Sequence, residues 1–399
     1  MGHALDRFET QTLFRLDTGR AFDHVRPIFE RVHAADADAG VHLSWPWLRS
    51  LLHDYPGRCR IYALSPTGRI RDARAFLPLR RDLHWSETRQ EFVTRYAAMG
   101  MLNIADYTGF VCSDDAVIGA FAQALQAEPW ARLSLRFEAT GRRARSLAAG
   151  FDPAEVAVKW PGSHSSNGSI DNLLCPRIAV PKTPQDYVAQ LSKKMRKKYR
   201  RAQRQADGMG AKMHLSAPHQ QAAHLALILE QWSNFWNGKK PDESIRRLKA
   251  RYHEHLIRAM QMGNLQLITL WAGDHFLGGT ANLIDRELAI LHSVAEGRDD
   301  TAGVDVGILL SVEMVTRAAQ MRMAWVDLGH GDYDYKYRLG AQDRSVSYLT
   351  LRRRSRSRAM QFDPAMSPFA VKATREFIRA QDPDKARAAM AQLRRHALG

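Results

Sequence analysis

The stretch LQLITLWAGDHFLGGTANLIDRELAILHS, residues 265–293, decides the fold. It divides into three strand-like runs, LQLITLW (265–271), FLGGTANLI (276–284) and ELAILHS (287–293), joined by AGDH and DR. Links this short make antiparallel hairpins the natural connection, so a meander is expected. An irregular stretch, AEGRDDTAG, leads from it into an apolar helix, VGILLSVEMVTRAAQM. A strand, AWVDLG (324–329), follows, then GHGDYDYKYRLGA (329–341), then a last strand, VSYLTLRR (346–353). The segment before that last strand reads two ways. With period two, Tyr333, Tyr335 and Tyr337 share a face. With period 3.6, Asp332 pairs with Lys336 and Asp334 with Arg338, which suits a short helix. Its own pattern leaves both open.

Upstream of the meander a strand from Lys212 and helices at 219–236 and 243–262 are expected. The first 180 residues read as a mixed α/β unit. Helices are expected at 21–33, 44–54, 114–127 and 140–149, and strands at CRIYALS (from Cys59), ARAFLPLR (from Ala73) and ARLSLRF (131–137). WPGSHSSNGSID, 160–171, reads as loop.

The chain has 399 residues, enough for two or three domains, with the apolar and charged fractions of an ordinary globular protein (45% and 25%). No apolar run approaches a membrane span, and the N-terminus lacks the apolar core of a signal peptide. Cys59, Cys112 and Cys175 are scattered, with no C-x-x-C pair, so neither a disulfide framework nor a zinc knuckle is expected. A cytoplasmic protein, or one peripheral to the inner face of a membrane, is the expectation.

The net charge is +16. Residues 191–204, LSKKMRKKYRRAQR, hold eight Lys or Arg and no acid. Residues 351–399 hold twelve Lys or Arg against Asp363, Glu376, Asp382 and Asp384. These two segments carry the whole excess, so the body is balanced. An anionic partner is expected for the first, Lys193–Arg204: nucleic acid such as tRNA, a membrane surface or a phosphorylated ligand. That segment opens with Thr183 as N-cap, Pro184 at the first helical position and Asp186 in the first turn. Val188, Leu191, Met195, Tyr199 and Ala202 then make one apolar stripe on an otherwise positive helix. It is either a solvated helix docked by that stripe or a surface that an anion also uses.

The order of elements resembles the GNAT acyltransferase superfamily. It is most similar to the CelD/BcsL-like branch associated with cellulose and exopolysaccharide biosynthesis, related to FemAB-type transferases. SWPWLRSLL, MGMLNIADYTGF (99–110), LSKKMRKKYRRAQR and GHGDYDYKYRLGA carry the likeness, in order, over roughly residues 20–353. The resemblance implies an α/β (α+β) fold of two tandem GNAT-like domains, each a mixed, mainly antiparallel sheet flanked by helices. The domains would span 1–178 and 179–355, followed by a basic helical tail, 356–399. Within the tail Phe369–Arg379 and Lys385–His396 are expected helices.

The resemblance also implies an acyltransferase using acetyl-CoA or another acyl-CoA, without a metal, and a polysaccharide or sugar-precursor acceptor. Such folds cradle the donor's diphosphate on the N–H groups of a helix N-terminus. The expected cradle holds Gly303, Gly307 and Arg298. Here Asp300 and Asp305 stand where the usual loop has Arg or Gln and a small residue, and Asp305 reads equally as a helix N-cap. By the same likeness GHGDYDYKYRLGA becomes a short helix beside the acyl pocket, with Tyr333 and Tyr337 on one face and Tyr335 turned away. Tyr335 or Tyr337 would protonate the leaving thiolate, and Lys336 and Arg338 would hold an anionic group. Asp106, beside Tyr107, and His292 are candidate bases. Two alternatives stand beside this: a FemAB-like transferase using aminoacyl-tRNA, and a non-catalytic GNAT-fold module binding an anionic partner.

Overall fold

The computed structural model describes residues 12–397 except 103, 106, 166–167 and 355–360. The chain forms two compact units, one of Met1–Leu102, Tyr107–Gly162 and Val346–Gly399, the other of Asn103–Asp106 and Ser163–Ser345.

The first unit begins with β1 (Thr12–Leu16), α1 (Gly19–His24), α2 (Arg26–Ala34), α3 (Trp45–Asp54), β2 (Cys59–Ser65), β3 (Ala75–Ser86) and β4 (Glu91–Ala98). It continues with β5 (Val111–Cys112), α4 (Ile118–Gln126), β6 (Arg132–Glu138), α5 (Gly141–Ala149) and β7 (Val156–Lys159). The expected helix at 21–33 is two, broken at Val25 two residues before Pro27.

The second unit holds β8 (His164–Ser165), β9 (Ile170–Asp171), β10 (Arg177–Ala179), α6 (Pro184–Gln190), α7 (Lys193–Gly208), β11 (Ala211–Leu215), α8 (Gln221–Trp236) and α9 (Asp242–Gln261). The meander follows as β12 (Leu265–Ala272), β13 (His275–Asp285) and β14 (Ile290–Arg298). Then come α10 (Val306–Gln320), β15 (Trp325–Asp327) and α11 (Asp334–Arg338).

Beyond it, β16 (Ser347–Arg353), α12 (Ser367–Arg379) and α13 (Pro383–Ala397) belong to the first unit. Two expectations change here. The units divide at 162/163 rather than 178/179, and the strand VSYLTLRR lies in the first sheet, between β6 and β7. Its buried Leu349 and Leu351 join the core made by Leu77, Leu79, Tyr96 and Leu133 with α4 and α5, a destination that strand periodicity does not encode. The tail helices form as expected. Met366, Ala370 and Ala389 cover Phe92 of β4, and the Gln392 side chain both donates to and accepts from the Phe92 backbone (2.8 and 2.7 Å). Asp363, just before α12, accepts from Arg60, Arg81 and Tyr96 at 3.1–3.3 Å, all buried. A buried carboxylate persists only when its charge is matched in this way.

The two large sheets run β1-β2-β3-β4-β6-β16-β7, with β5 beside β3, and β10-β15-β14-β13-β12-β11, while β8 and β9 pair by themselves. Each large sheet contains one parallel pair, and in each that pair is three residues long. In the first, Arg95–Ala97 of β4 lie beside Arg132–Ser134 of β6. Thr108 then bridges to Glu138, so the chain itself fills the place beyond the pairing. In the second, Ile290–His292 of β14 lie beside Trp325–Asp327 of β15. There β14 runs on from Ser293 to Arg298 without β15 beside it. A wedge opens between the two strands.

The basic segment is two helices rather than one. Leu191 is extended (ψ 148°), and Ser192 caps α7 afresh by accepting from Met195 N (3.2 Å). The apolar stripe survives the break: Leu191, Met195 and Ala202 are buried, with Val188 and Tyr199 packed beside them, in one core with α10.

Candidate active site

Glu296 lies on β14 inside the wedge, and a bulge puts it there. Ala281 faces Ala295 but Asn282 faces Ser293, so Val294 is an extra residue. Leu291 joins the α10 side of the sheet. Without the bulge Glu296, five residues on, would face the other side, toward α8; with it, Glu296 faces α10. The neighbouring Gly297 confirms the parity, because a Cβ there would sit 2.2 Å from the Ile228 carbonyl oxygen of α8.

Around Glu296 the side chains close in. Arg298 donates to its Oε1 (3.2 Å) and to Asp300 (3.0 Å), and stands 5.2 Å from the Phe235 ring. A Cβ on Gly307, in the first turn of α10, would meet Arg298 at 2.8 Å and Glu296 at 3.4 Å, so glycine leaves room for both. Burial holds the Glu296 carboxyl above the usual carboxylate range; Arg298 works against that, while Asp305 and Asp300 add to it. About a third of the side chain (34%) stays open, as at the wall of a cleft rather than in a sealed core.

Tyr335 shares this cleft. Burial, then the Glu296 charge and Tyr333, push its phenol up to about 12, with Arg298 acting the other way. Its ring is over half exposed (56%), so solvent screens part of the shift. The direction keeps the phenol protonated at neutral pH. Tyr252 of α9 also bears on it, and stacks edge-on against Trp232 at 5.0 Å. Lys239 lies 3.5 Å over Phe235 and Lys240 3.8 Å over Trp236, so the wall is aromatic with cationic tips.

Of the expected site residues, Tyr335, Arg298 and Gly307 meet here. The others do not. Tyr333 precedes α11 in extended conformation, and its ring lies 6.2 Å from Tyr335, so these two are neighbours and Tyr337 is apart. Tyr337 donates to Asp343 (2.6 Å); burial first, then that bond and the nearby carboxylates, raise its phenol above the usual value. Lys336 is buried, its ammonium donating to the carbonyls of Gly329 (2.7 Å) and His330 (2.9 Å). It braces the loop before α11 and presents no open cation. Asp332 therefore does not pair with it and accepts instead from Asp171 N (2.7 Å). Arg338 is exposed and pairs with Asp334 (3.5 Å), the one expected i,i+4 pair that forms.

His292 is buried on the face opposite Leu291 and Glu296, 3.5 Å from Asp285. It is a core histidine, away from the wedge. Gly303 adopts φ +69°, and its carbonyl accepts from Gln205 of α7 (3.1 Å). Asp106 lies outside the described residues, and Tyr107 is buried in the first unit at φ +61°. Sequence reading missed Glu296 because Ala-Glu-Gly-Arg-Asp-Asp lacks strand formers and read as loop. Its signal was a lone acid directly after an apolar meander.

At the N-terminus of α10, Asp305 accepts from Ile308 N (3.2 Å) and pairs with Lys198 of α7 (2.6 Å). One donor N–H of the expected cradle is thus taken by the chain's own carboxylate. Lys193, Lys194, Lys197, Arg200, Arg201 and Arg204 of α7 make no ion pair among the described residues, a row of free cations on the same helix. No helix among the described residues is long and apolar enough to cross a membrane.

Residues 193–337 match the family described as Acetyltransferase (GNAT) domain. No curated protein matches the chain. Among solved structures, FemX is similar with a TM-score of 0.51 at 10% identity, over 80% of this chain and 95% of that one. A tandem GNAT protein from the clavulanic acid biosynthesis pathway aligns with a TM-score of 0.45 at 10% identity, over 86% and 98%. The C-terminal domain of a putative lysylphosphatidylglycerol synthetase from Agrobacterium fabrum gives 0.44 at 10%, over 83% and 92%. The fold is α/β, two units of mixed, mainly antiparallel sheet flanked by helices, and the acetyltransferase match falls on the unit that holds the open wedge.

Proposed function

We propose that the second unit is a GNAT-type N- or O-acyltransferase, with acyl-CoA as donor and a hydroxyl or amine of a polysaccharide or its precursor as acceptor. The observation that carries this is that Glu296, at an open wedge beside α10, lies within electrostatic reach of the Tyr335 phenol. The edge of β14 that β15 leaves uncovered from Ser293 onward suits the amides of an extended donor arm. A desolvated carboxylate is a stronger base, fit to take the acceptor's proton as the new C–O or C–N bond forms. A phenol that stays protonated can give its proton to the thiolate as the C–S bond breaks. The aromatic wall with Lys239, Lys240 and Arg298 suits a sugar bearing anionic groups. That acceptor fits the CelD/BcsL-like branch, working in the cytoplasm or at the inner face of a membrane.

One observation favours a second donor. Asp305 occupies the α10 N-terminus while the α7 cations stand free, an arrangement suited to aminoacyl-tRNA, whose binding rests on contacts to phosphates. The test is thermal shift and thiol release with acetyl-CoA and longer acyl-CoAs, run beside aminoacyl-tRNA. The acyl-CoA reading expects a shift, and turnover that Tyr335→Phe and Glu296→Gln each slow by about 100-fold. Transfer from aminoacyl-tRNA alone selects the second donor. Salt-sensitive RNA binding with no turnover from any donor defeats both in favour of a non-catalytic module.

A further inference from the structure

The face of the first sheet turned away from α4 and α5 carries a row of arginines. Arg95 of β4 stands directly beside Arg132 of β6, and Arg132 directly beside Arg352 of β16. Their neighbours Tyr96, Leu133 and Leu351 all point into the core with α4 and α5, which fixes the arginines on the other face. Arg136, four residues along β6, lies with its guanidinium 5.6 Å from the Tyr348 ring. Lys159 of β7 stands beside Thr350, one row away on the same face.

Like charges directly opposite across a sheet are destabilising. Here three are aligned on adjacent strands, with Cα atoms spanning roughly 10 Å at ordinary strand spacing. None of the five cations makes an ion pair among the described residues. The one acid in the row, Asp82 opposite Arg95, is held by Arg58 and by Arg80 (2.8 Å). Arg132 also buries its Nε without a hydrogen-bond partner. Burial first, and then repulsion from the neighbouring arginines, lowers the basicity of Arg95 and Arg132. Arg136, Arg352 and Lys159 remain exposed, so the face is open to solutes.

We propose that this arginine row binds a compact, multiply charged phosphate group, a diphosphate carried by a small molecule. Guanidinium forks take phosphate oxygens in pairs, and three in line match several oxygens at once. The row is bounded by Asp82 at one end and by Ala157 at the other. An extended phosphodiester chain would need cations continuing past both ends, so the boundaries favour a short ligand over nucleic acid.

The test is titration calorimetry with inorganic pyrophosphate at low salt on the full chain, alongside Arg132→Gln, Arg352→Gln and Arg387→Gln. Saturable binding is expected that weakens at least tenfold in the two row variants and is unchanged in Arg387→Gln, an exposed α13 residue paired with Asp384. Arg352 is exposed, so its variant keeps the fold and decides the matter even if Arg132→Gln does not fold. Equal weakening in all three variants overturns the proposal. So does loss on Lys198→Gln with the row variants unaffected, which would put the ion at α10. Row-dependent binding of a short single-stranded RNA without pyrophosphate binding overturns it in favour of nucleic acid.

Discussion

At the scale of single residues, one tyrosine and two glutamates make sharp tests. Tyr335→Phe removes the acid but not the ring, so kcat should fall by about 100-fold with KM little changed, the size typical of a positioned acid or base. The rate should rise with pH as Glu296 ionises, at a pH above the ordinary carboxylate range because burial raises its pKa. Glu296→Gln should abolish that limb of the pH–rate profile. Glu138, in the first unit, is buried, and burial raises it from 4.5 to about 8. The unfolded chain releases this proton first, so wild type loses stability as pH rises from about 4.5 to about 8. Glu138→Gln still accepts from Thr140 N, the 2.9 Å bond of the native carboxyl. It should be the more heat-stable form above pH 8, by a few kcal/mol; melting curves across that range check this. Tyr335 was legible because tyrosines crowded between glycines invite a site reading. Glu296 was not, because its facing depends on one extra residue, Val294, which composition does not reveal.

At the scale of elements, helix termini decide the donor question. Asp305 caps α10, and its charge opposes an incoming diphosphate at the same N–H groups. Asp305→Asn keeps a capping oxygen and removes the charge, so the melting temperature should hold while the KM for acyl-CoA falls several-fold. An unchanged KM would place the donor's phosphates elsewhere. Ser192→Ala removes the cap of α7 and should cost about 1 kcal/mol, read by denaturant unfolding. The element list was largely legible: the meander, the apolar stripe through α6 and α7 and the tail helices follow from periodicity. What escaped was how elements begin and end. β14 runs on to Arg298 through residues with no strand preference, held by pairing to β13 as far as Gly278. Tertiary pairing overrides weak propensity there.

At the scale of the whole molecule, the strand that ends the second unit in sequence completes the first unit in space. Periodicity shows that 346–353 is a strand but carries nothing about its partner, and that is why the domain boundary was misplaced. A chain ending at Ser345 should lose the first unit's cooperative melt, because β6 and β7 lose the strand between them along with the buried Leu349 and Leu351. Residues 163–345 alone should keep theirs; calorimetry on the two pieces checks both. The same strand reverses the usual order of events on the ribosome. Domains ordinarily fold N-terminal first, at about 5–20 residues per second of synthesis. Here the first unit waits for β16 through the whole of residues 163–345, roughly ten to forty seconds at that rate, while the second unit, apart from Asn103–Asp106, is made in that one stretch. The later-made half can be native while the earlier-made half still exposes the edges of β6 and β7. Released truncated chains ending at Ser345 should therefore be cut by protease ahead of residue 162 and spared beyond it.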